Sequence, residues 1–110
     1  MVWAVWTVEL LNATVRAELE ALPDDMVAHF QRIVGLIQTR GLEQVRGPSI
    51  KHLEGPLWEL RLKGKGGIAR AIYVTARGRR VVVVRVFIKK TQATPQRELK
   101  LALERAKEVQ

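Results

Sequence analysis

At 110 residues the chain is read as one domain, Met1 to Gln110, long enough for a single apolar core and too short for two. Its formal net charge of +8 points to a polyanionic partner, with nucleic acid the leading one, and the absence of cysteine excludes a disulfide framework or a thiolate metal site. The apolar opening meets Glu9 before it reaches the length of a membrane span and lacks a basic leader, so cytoplasmic residence with no membrane partner is expected.

Met1 to Val8, with Trp3 and Trp6, is predicted as the first strand, because its strand-favouring types alternate over a run too short for a buried helix. Leu11, Val15, Leu19 and Leu22 then recur at helical spacing until Pro23 interrupts them. Asp24 is the expected N-cap of a second helix, whose stripe runs through Met26 or Val27, Phe30, Ile33, Val34 and Ile37 to a glycine stop at Gly41. The two helices form a hairpin whose apolar faces need a sheet.

Gly47, Pro48, Gly55 and Pro56 mark a loop holding one short edge strand around Ser49 to Leu53. Trp58, Leu60 and Leu62 alternate with Glu59, Arg61 and Lys63, which reads as a half-buried strand with charges on its open face and the tryptophans in the packing. Ile68 to Ala76 and Val81 to Ile88 follow as a hairpin turned at Arg77 and Gly78, the second strand apolar on both faces at Val81 to Val84. Thr94 before Pro95 sets an N-cap for a last helix with Leu99, Ala102, Leu103 and Ala106 on one side. The expected class is therefore α+β: an N-terminal strand, a helical hairpin, an antiparallel sheet of three to four strands and a C-terminal helix.

Between Glu59 and Glu98 no acidic residue occurs, although this stretch carries most of the strands and many of the cations. Were a bound nucleic acid to be acted on without a metal, a proton acceptor, cationic donors around the phosphate and a proton donor would be required. The donors are abundant. No His, Asp and Glu cluster has ligand spacing, so neither a metal nor a cofactor is expected.

Arg61 and Lys63 project from one strand face and can meet phosphate or remain solvated edge charges. Arg70 lies in phase with Ile68, Ile72 and Val74, which suits either a phosphate clamp or a salt bridge to Glu59, and Tyr73 faces the other way. His52 is the side chain whose ordinary pKa, about 6.5, suits proton transfer, with Lys51 beside it as the other candidate. On a regular strand these two neighbours point to opposite faces. Arg85, Phe87 and Lys89 share a face on which the ring can stack on a base, or join the core, while cations hold phosphates; Lys89 and Lys90 leave the sheet together. Arg77, Arg79 and Arg80 surround a hairpin turn as a peripheral docking patch for a polyanion.

The blocks Lys51-His52-Leu53-Glu54-Gly55, Leu57-Trp58-Glu59-Leu60-Arg61, Arg70 to Tyr73, Phe87-Ile88-Lys89-Lys90-Thr91-Gln92 and Thr94-Pro95 resemble, in order and over nearly the whole chain, the phage-derived HigB-type branch of the RelE/ParE toxin superfamily. The resemblance implies a RelE-like fold and the toxin of a type II toxin-antitoxin system. It further implies a ribosome-dependent mRNA endonuclease, with mRNA on the ribosome and ribosomal RNA as partners and a helix-turn-helix antitoxin from the same operon as inhibitor. Under it Lys51, His52, Arg61, Arg70 and Lys90 become catalytic candidates, and Lys63, Arg77, Arg79, Arg80, Arg85, Phe87 and Lys89 RNA-binding ones. The chain departs from similar proteins at Arg85 and Val86, where a histidine and a glycine are common, and it has no counterpart after Lys90 of the C-terminal catalytic tyrosine of RelE. Two other activities suit the same scaffold: a ParE-like, non-enzymatic inhibitor of DNA gyrase, and a nucleic-acid-binding module without catalysis.

Overall fold

The computed structural model describes residues 5–45, 49–90 and 93–110. The elements are β1 (Thr7–Leu10), α1 (Ala13–Glu20), α2 (Asp24–Arg40), a 3-10 turn (Leu42–Gln44), β2 (Ile50–His52), β3 (Trp58–Gly64), β4 (Gly67–Ala76), β5 (Arg80–Lys89) and α3 (Gln96–Ala106). They build an α+β fold on one sheet of five strands in the order β1-β5-β4-β3-β2. Four strands are antiparallel, and β1 adds to them in parallel beside β5. The expected three to four antiparallel strands thus gain a parallel edge.

Several boundaries move, each for a local reason. β1 starts at Thr7, because its partner β5 starts at Arg80, the residue paired with Thr7; Trp3 and its neighbours in the predicted strand lie outside the described residues, as do Gly47 and Pro48. Asn12 caps α1 by accepting the Val15 N–H at 3.0 Å. The cap position of α2 belongs to Pro23 and not to Asp24: the Pro23 carbonyl accepts Met26 and Val27, and Asp24 and Asp25 lie within the first turn, where the helix dipole favours them. Likewise Pro95 precedes α3, and the Thr94 hydroxyl bonds elsewhere. The β4–β5 turn is one residue longer than expected, with Gly78 and Arg79 at φ 81° and 57°.

The sheet is covered unequally. On one face Val15 of α1 and Met26, Phe30, Ile33 and Ile37 of α2 pack on Leu60, Leu62, Ala69, Ala71, Tyr73, Val81, Val83 and Val86. Each large apolar side chain so buried contributes about 1.5–3 kcal/mol. Gly64 lets α2 approach, since a Cβ there would lie 2.6 Å from Asp25 Oδ1 and 2.8 Å from Met26 Cγ. On the other face α3 sets Leu99 and Ala102 against Ile72, Val74, Val82 and Val84, packing on β5 and β4. That helix leaves the β3 side of its face open.

A bulge decides what this open face carries. Ile72 pairs with Arg85 but Tyr73 pairs with Val83, so Val84 is an extra residue in β5 and the alternation changes phase there. Upstream of it Val81 and Val83 face α1 and α2. Downstream, Arg85, Phe87 and Lys89 take the opposite face, each directly across from Ile72, Arg70 and Ile68.

Trp58 corrects its sequence reading. It is 39% exposed, because the contact of α2 with β3 is made further along, at Leu60 and Leu62. Trp6 is half-buried, with the Arg79 guanidinium 5.9 Å from its ring. Tyr73 is buried, which pushes its phenol up to about 12. No described helix is long and apolar enough to cross a membrane.

Candidate functional site

Residues directly opposite in neighbouring strands share a sheet face, with Cβ atoms roughly 5 Å apart. The register therefore assembles three rows on the open face. Lys51 of β2 stands across from Glu59 of β3. Arg61 stands across from Arg70 of β4, which stands across from Phe87 of β5. Lys63, Ile68 and Lys89 form the third row. Strand register, with the bulge in β5, thus brings cations from four strands together.

Glu59 lies at the centre with no exposed surface. Its Oε2 is 3.0 Å from Arg70 Nε and 3.6 Å from Arg61 Nε, and its Oε1 accepts the Thr94 hydroxyl at 3.2 Å. An ionised carboxylate loses several kcal/mol of hydration on burial, a cost that these partners offset. Arg70 is itself buried, with 5% of its side chain exposed. Burial holds its pKa below the ordinary arginine value, Glu59 opposing the change and Arg61 adding to it. Lys89 is also shifted down, first by burial and then by Arg70, with Lys51 and Arg61 contributing and Glu59 opposing. One carboxylate among Lys51, Arg61, Arg70 and Lys89 leaves a cluster of net positive charge.

The ion pairs are not aligned as hydrogen bonds. Among the described residues, Glu59 Oε2, Arg61 Nε, and Arg70 Nε and Nη1 are buried without a hydrogen-bond partner. Native interiors leave few such groups. A guanidinium can bind phosphate oxygens bidentately, and of the two it is Arg61, 30% exposed at its side chain, that reaches the surface.

The other sequence candidates lie apart from this cluster or at its edge. His52 is on the opposite face from its neighbour Lys51, because β2 is a regular strand. Its ring is tilted at 59° to Trp58 with centroids 4.8 Å apart, and its Nε2 is 3.0 Å from the Gly55 carbonyl. Lys90 is exposed just past the end of β5. Phe87 is half-buried, with the Arg85 guanidinium 5.6 Å from its ring. Arg85 itself is held by Glu98 at 2.7 Å and Glu18 at 2.9 Å, which raises its pKa and keeps it among protein partners.

Arg77, Arg79 and Arg80 sit at the far end of the β4–β5 hairpin, about 20 Å along the strand from Arg70. Arg79 pairs with Glu43, and Arg80 with Glu9 and the Gln110 carbonyl; Arg77 is exposed. Two residues that sequence reasoning gave no site role, Glu59 and Thr94, hold the cluster together. The alternation of β3 already placed Glu59 beside Arg61. Nothing in the sequence signals that Thr94, 35 positions away, reaches it.

The end of the cluster is fixed from the other side of the sheet. His29 Nδ1 of α2 accepts the Lys63 backbone N–H at 2.8 Å. Burial, then Arg32 and Lys63, holds the His29 pKa below 6.5. The neutral ring is the form that binds, so its contribution is complete above about pH 6.5 and is lost as the pH falls through the lowered folded-state value. Thermal stability should therefore drop between pH 7 and pH 5 more steeply in the wild type than in His29→Ala. Parallel pH profiles of the two proteins would refute this linkage.

Residues 17–107 match the family described as phage derived protein Gp49-like (DUF891). Among solved structures, the chain is similar to one in the crystal structure of the archaeal RelE-RelB complex from Pyrococcus horikoshii OT3. The TM-score is 0.60 at 17% identity, covering 81% of this chain and 99% of that one. At that identity the likeness establishes a RelE-like fold. No curated protein matches the chain significantly.

Proposed function

The chain belongs to the phage-derived Gp49-like family, and from that premise we propose that it is the toxin of a type II toxin-antitoxin pair, a ribosome-dependent mRNA endonuclease that needs no metal and arrests translation in the cytoplasm. The observation that carries this reading is the convergence of Lys51, Arg61, Arg70 and Lys89 around one buried carboxylate on one face of the sheet. A similar fold occurs in a RelE-RelB complex, which supports an antitoxin partner, here of the helix-turn-helix kind and encoded in the same operon.

In this reading the mRNA 2′-oxygen attacks the adjacent phosphorus. The P–O5′ bond breaks, leaving a 2′,3′-cyclic phosphate on one fragment and a 5′-hydroxyl on the other. Arg61, with 30% of its side chain exposed, stabilises the phosphorane charge, and the buried guanidinium of Arg70 opposite it adds to the field. Lys89, whose pKa is lowered, takes the 2′-hydroxyl proton, and Lys51 at the rim or Lys90 supplies one to the departing oxygen. Lys63 and Phe87 flank the path of the strand, and the Arg77 end of the hairpin docks on ribosomal RNA. His52, on the other face, has no part in the chemistry.

Arg61→Ala tests the reading with little risk to the fold, because 30% of that side chain is exposed. Removing one such donor should lower cleavage on translating ribosomes by about 10²-fold while thermal stability stays near wild type. Mapped transcript ends in cells expressing each protein give the measurement. Expression that triggers DNA-damage signalling and leaves transcripts whole would instead favour a gyrase inhibitor of the ParE kind. Salt-sensitive RNA affinity with no cleaved product, with or without ribosomes, would reduce the protein to a binding module.

A further inference from the structure

Glu59 carries a role that burial and stability do not explain. Arg61 and Arg70 face each other directly across β3 and β4, and like charges so placed repel. Glu59 Oε2 approaches the Nε of both, yet neither approach is aligned as a hydrogen bond. Had the fold required only a filled interior, an apolar side chain of similar volume would serve at least as well as a buried ion pair. What the carboxylate supplies is charge at a fixed point: its Oε2 faces the Nε of both guanidiniums and draws them together. Thr94, in the segment leading into α3, fixes the other oxygen.

We propose that Glu59 is a positioning residue of the cleavage site, holding the Arg61 and Arg70 guanidiniums convergent on the scissile phosphate, with Thr94 holding Glu59 in turn. The role rests on the nuclease reading above. It acts through other residues, since Glu59 has no exposed surface with which to touch RNA. Its charge also reaches Lys89, the half-buried ammonium of the third row, where Glu59 opposes the downward influence of Arg70, Lys51 and Arg61. Lys63 lies in the same row as Lys89, two strands away, and Thr94 contributes a hydroxyl without charge.

Single-turnover cleavage of mRNA on programmed ribosomes tests the assignment. Glu59→Gln should lower kcat by about 10- to 100-fold with KM changed by less than about threefold, the mark of an interaction that matters in the transition state. The limb of its pH–rate profile set by Lys89 should move to lower pH, because the one charge favouring the ammonium is gone. A merely structural role would lower thermal stability without moving that limb. Thr94→Val, which keeps every charge, provides the second variant should Glu59→Gln fail to fold. It should lower kcat by about three- to tenfold, the loss expected for one net hydrogen bond. A wild-type protein that cleaves nothing on ribosomes overturns the nuclease reading. A cleaving wild type matched by Glu59→Gln in kcat and pH profile, or by Thr94→Val where the first variant does not fold, overturns the positioning role alone.

Discussion

Arg70→Met should destabilise the protein by about 3–5 kcal/mol, and adding Glu59→Leu to it should restore most of that loss without restoring cleavage. The single substitution leaves a carboxylate with no exposed surface and, among the described residues, only Arg61, 3.6 Å away, as a charged partner within salt-bridge range. An unpaired buried charge is the costly state, whereas an apolar pair of similar volume, continuous with Ile72 and Leu57 beneath α3, has no charge to desolvate. The contrast separates two reasons for lost activity that a single Arg70 variant confounds. Urea denaturation supplies the stability term and ribosomal cleavage the functional one. A double variant no more stable than Arg70→Met would mean that Glu59 is not the source of the cost. One that regained cleavage would remove Arg70 from the chemistry.

The parts of the fold legible in the sequence are those set by local period. Phe30, Ile33 and Ile37 recur as a helical stripe and are buried under the sheet, and Leu60 and Leu62 alternate with Arg61 and Lys63 on opposite faces. Pairing between distant segments leaves no such trace. The parallel contact of β1 with β5 depends on where two strands meet after a long excursion through two helices and three strands. The bulge at Val84 is equally silent, because Val81 to Val84 is apolar on both faces and carries no phase to break. Yet that extra residue turns Lys89 towards Arg70.

At the site, alternation sufficed to group Arg61 with Lys63, but the place of His52 required knowing that β2 is regular where it meets β3. Trp58 was misplaced for a related reason. Its spacing matches Leu60 and Leu62, but how far a covering helix extends along a strand is a tertiary fact. Thr94 shows the limit most plainly: its local pattern reads as a helix cap, and the buried carboxylate across the sheet is the stronger claimant for its hydroxyl.

Glu18→Ala should cost about 3 kcal/mol and lower the melting temperature by on the order of 10 °C, although Glu18 is far in sequence from everything it holds. β1 ends at Leu10, opposite Val83, and the Leu11 N–H extends the contact, so among the described residues the edge of β5 beyond that point lacks a strand partner. Two side chains close it. Glu18 of α1 accepts the Val86 N–H at 3.1 Å, and Arg105 of α3 donates to the Val84 carbonyl at 2.9 Å. Glu18 also pairs with Arg105 at 2.8 Å and Arg85 at 2.9 Å, and Glu98 holds Arg85 from α3. Removing Glu18 leaves a backbone donor unpaired at a part-buried edge and deprives two guanidiniums of a partner, which is costlier than losing an exposed ion pair.

The same geometry assigns Arg85 to stability. Arg85→Ala should lower the melting temperature while leaving the salt dependence of RNA affinity unchanged. Lys51→Ala, an exposed cation on the rim, should do the reverse, reducing the slope of log affinity against log salt by about one. If Arg85→Ala instead kept its melting temperature and lost that unit of slope, the guanidinium would be reaching for phosphate, and the clasp of α1 and α3 around β5 would have to be held by Glu18 and Arg105 without it.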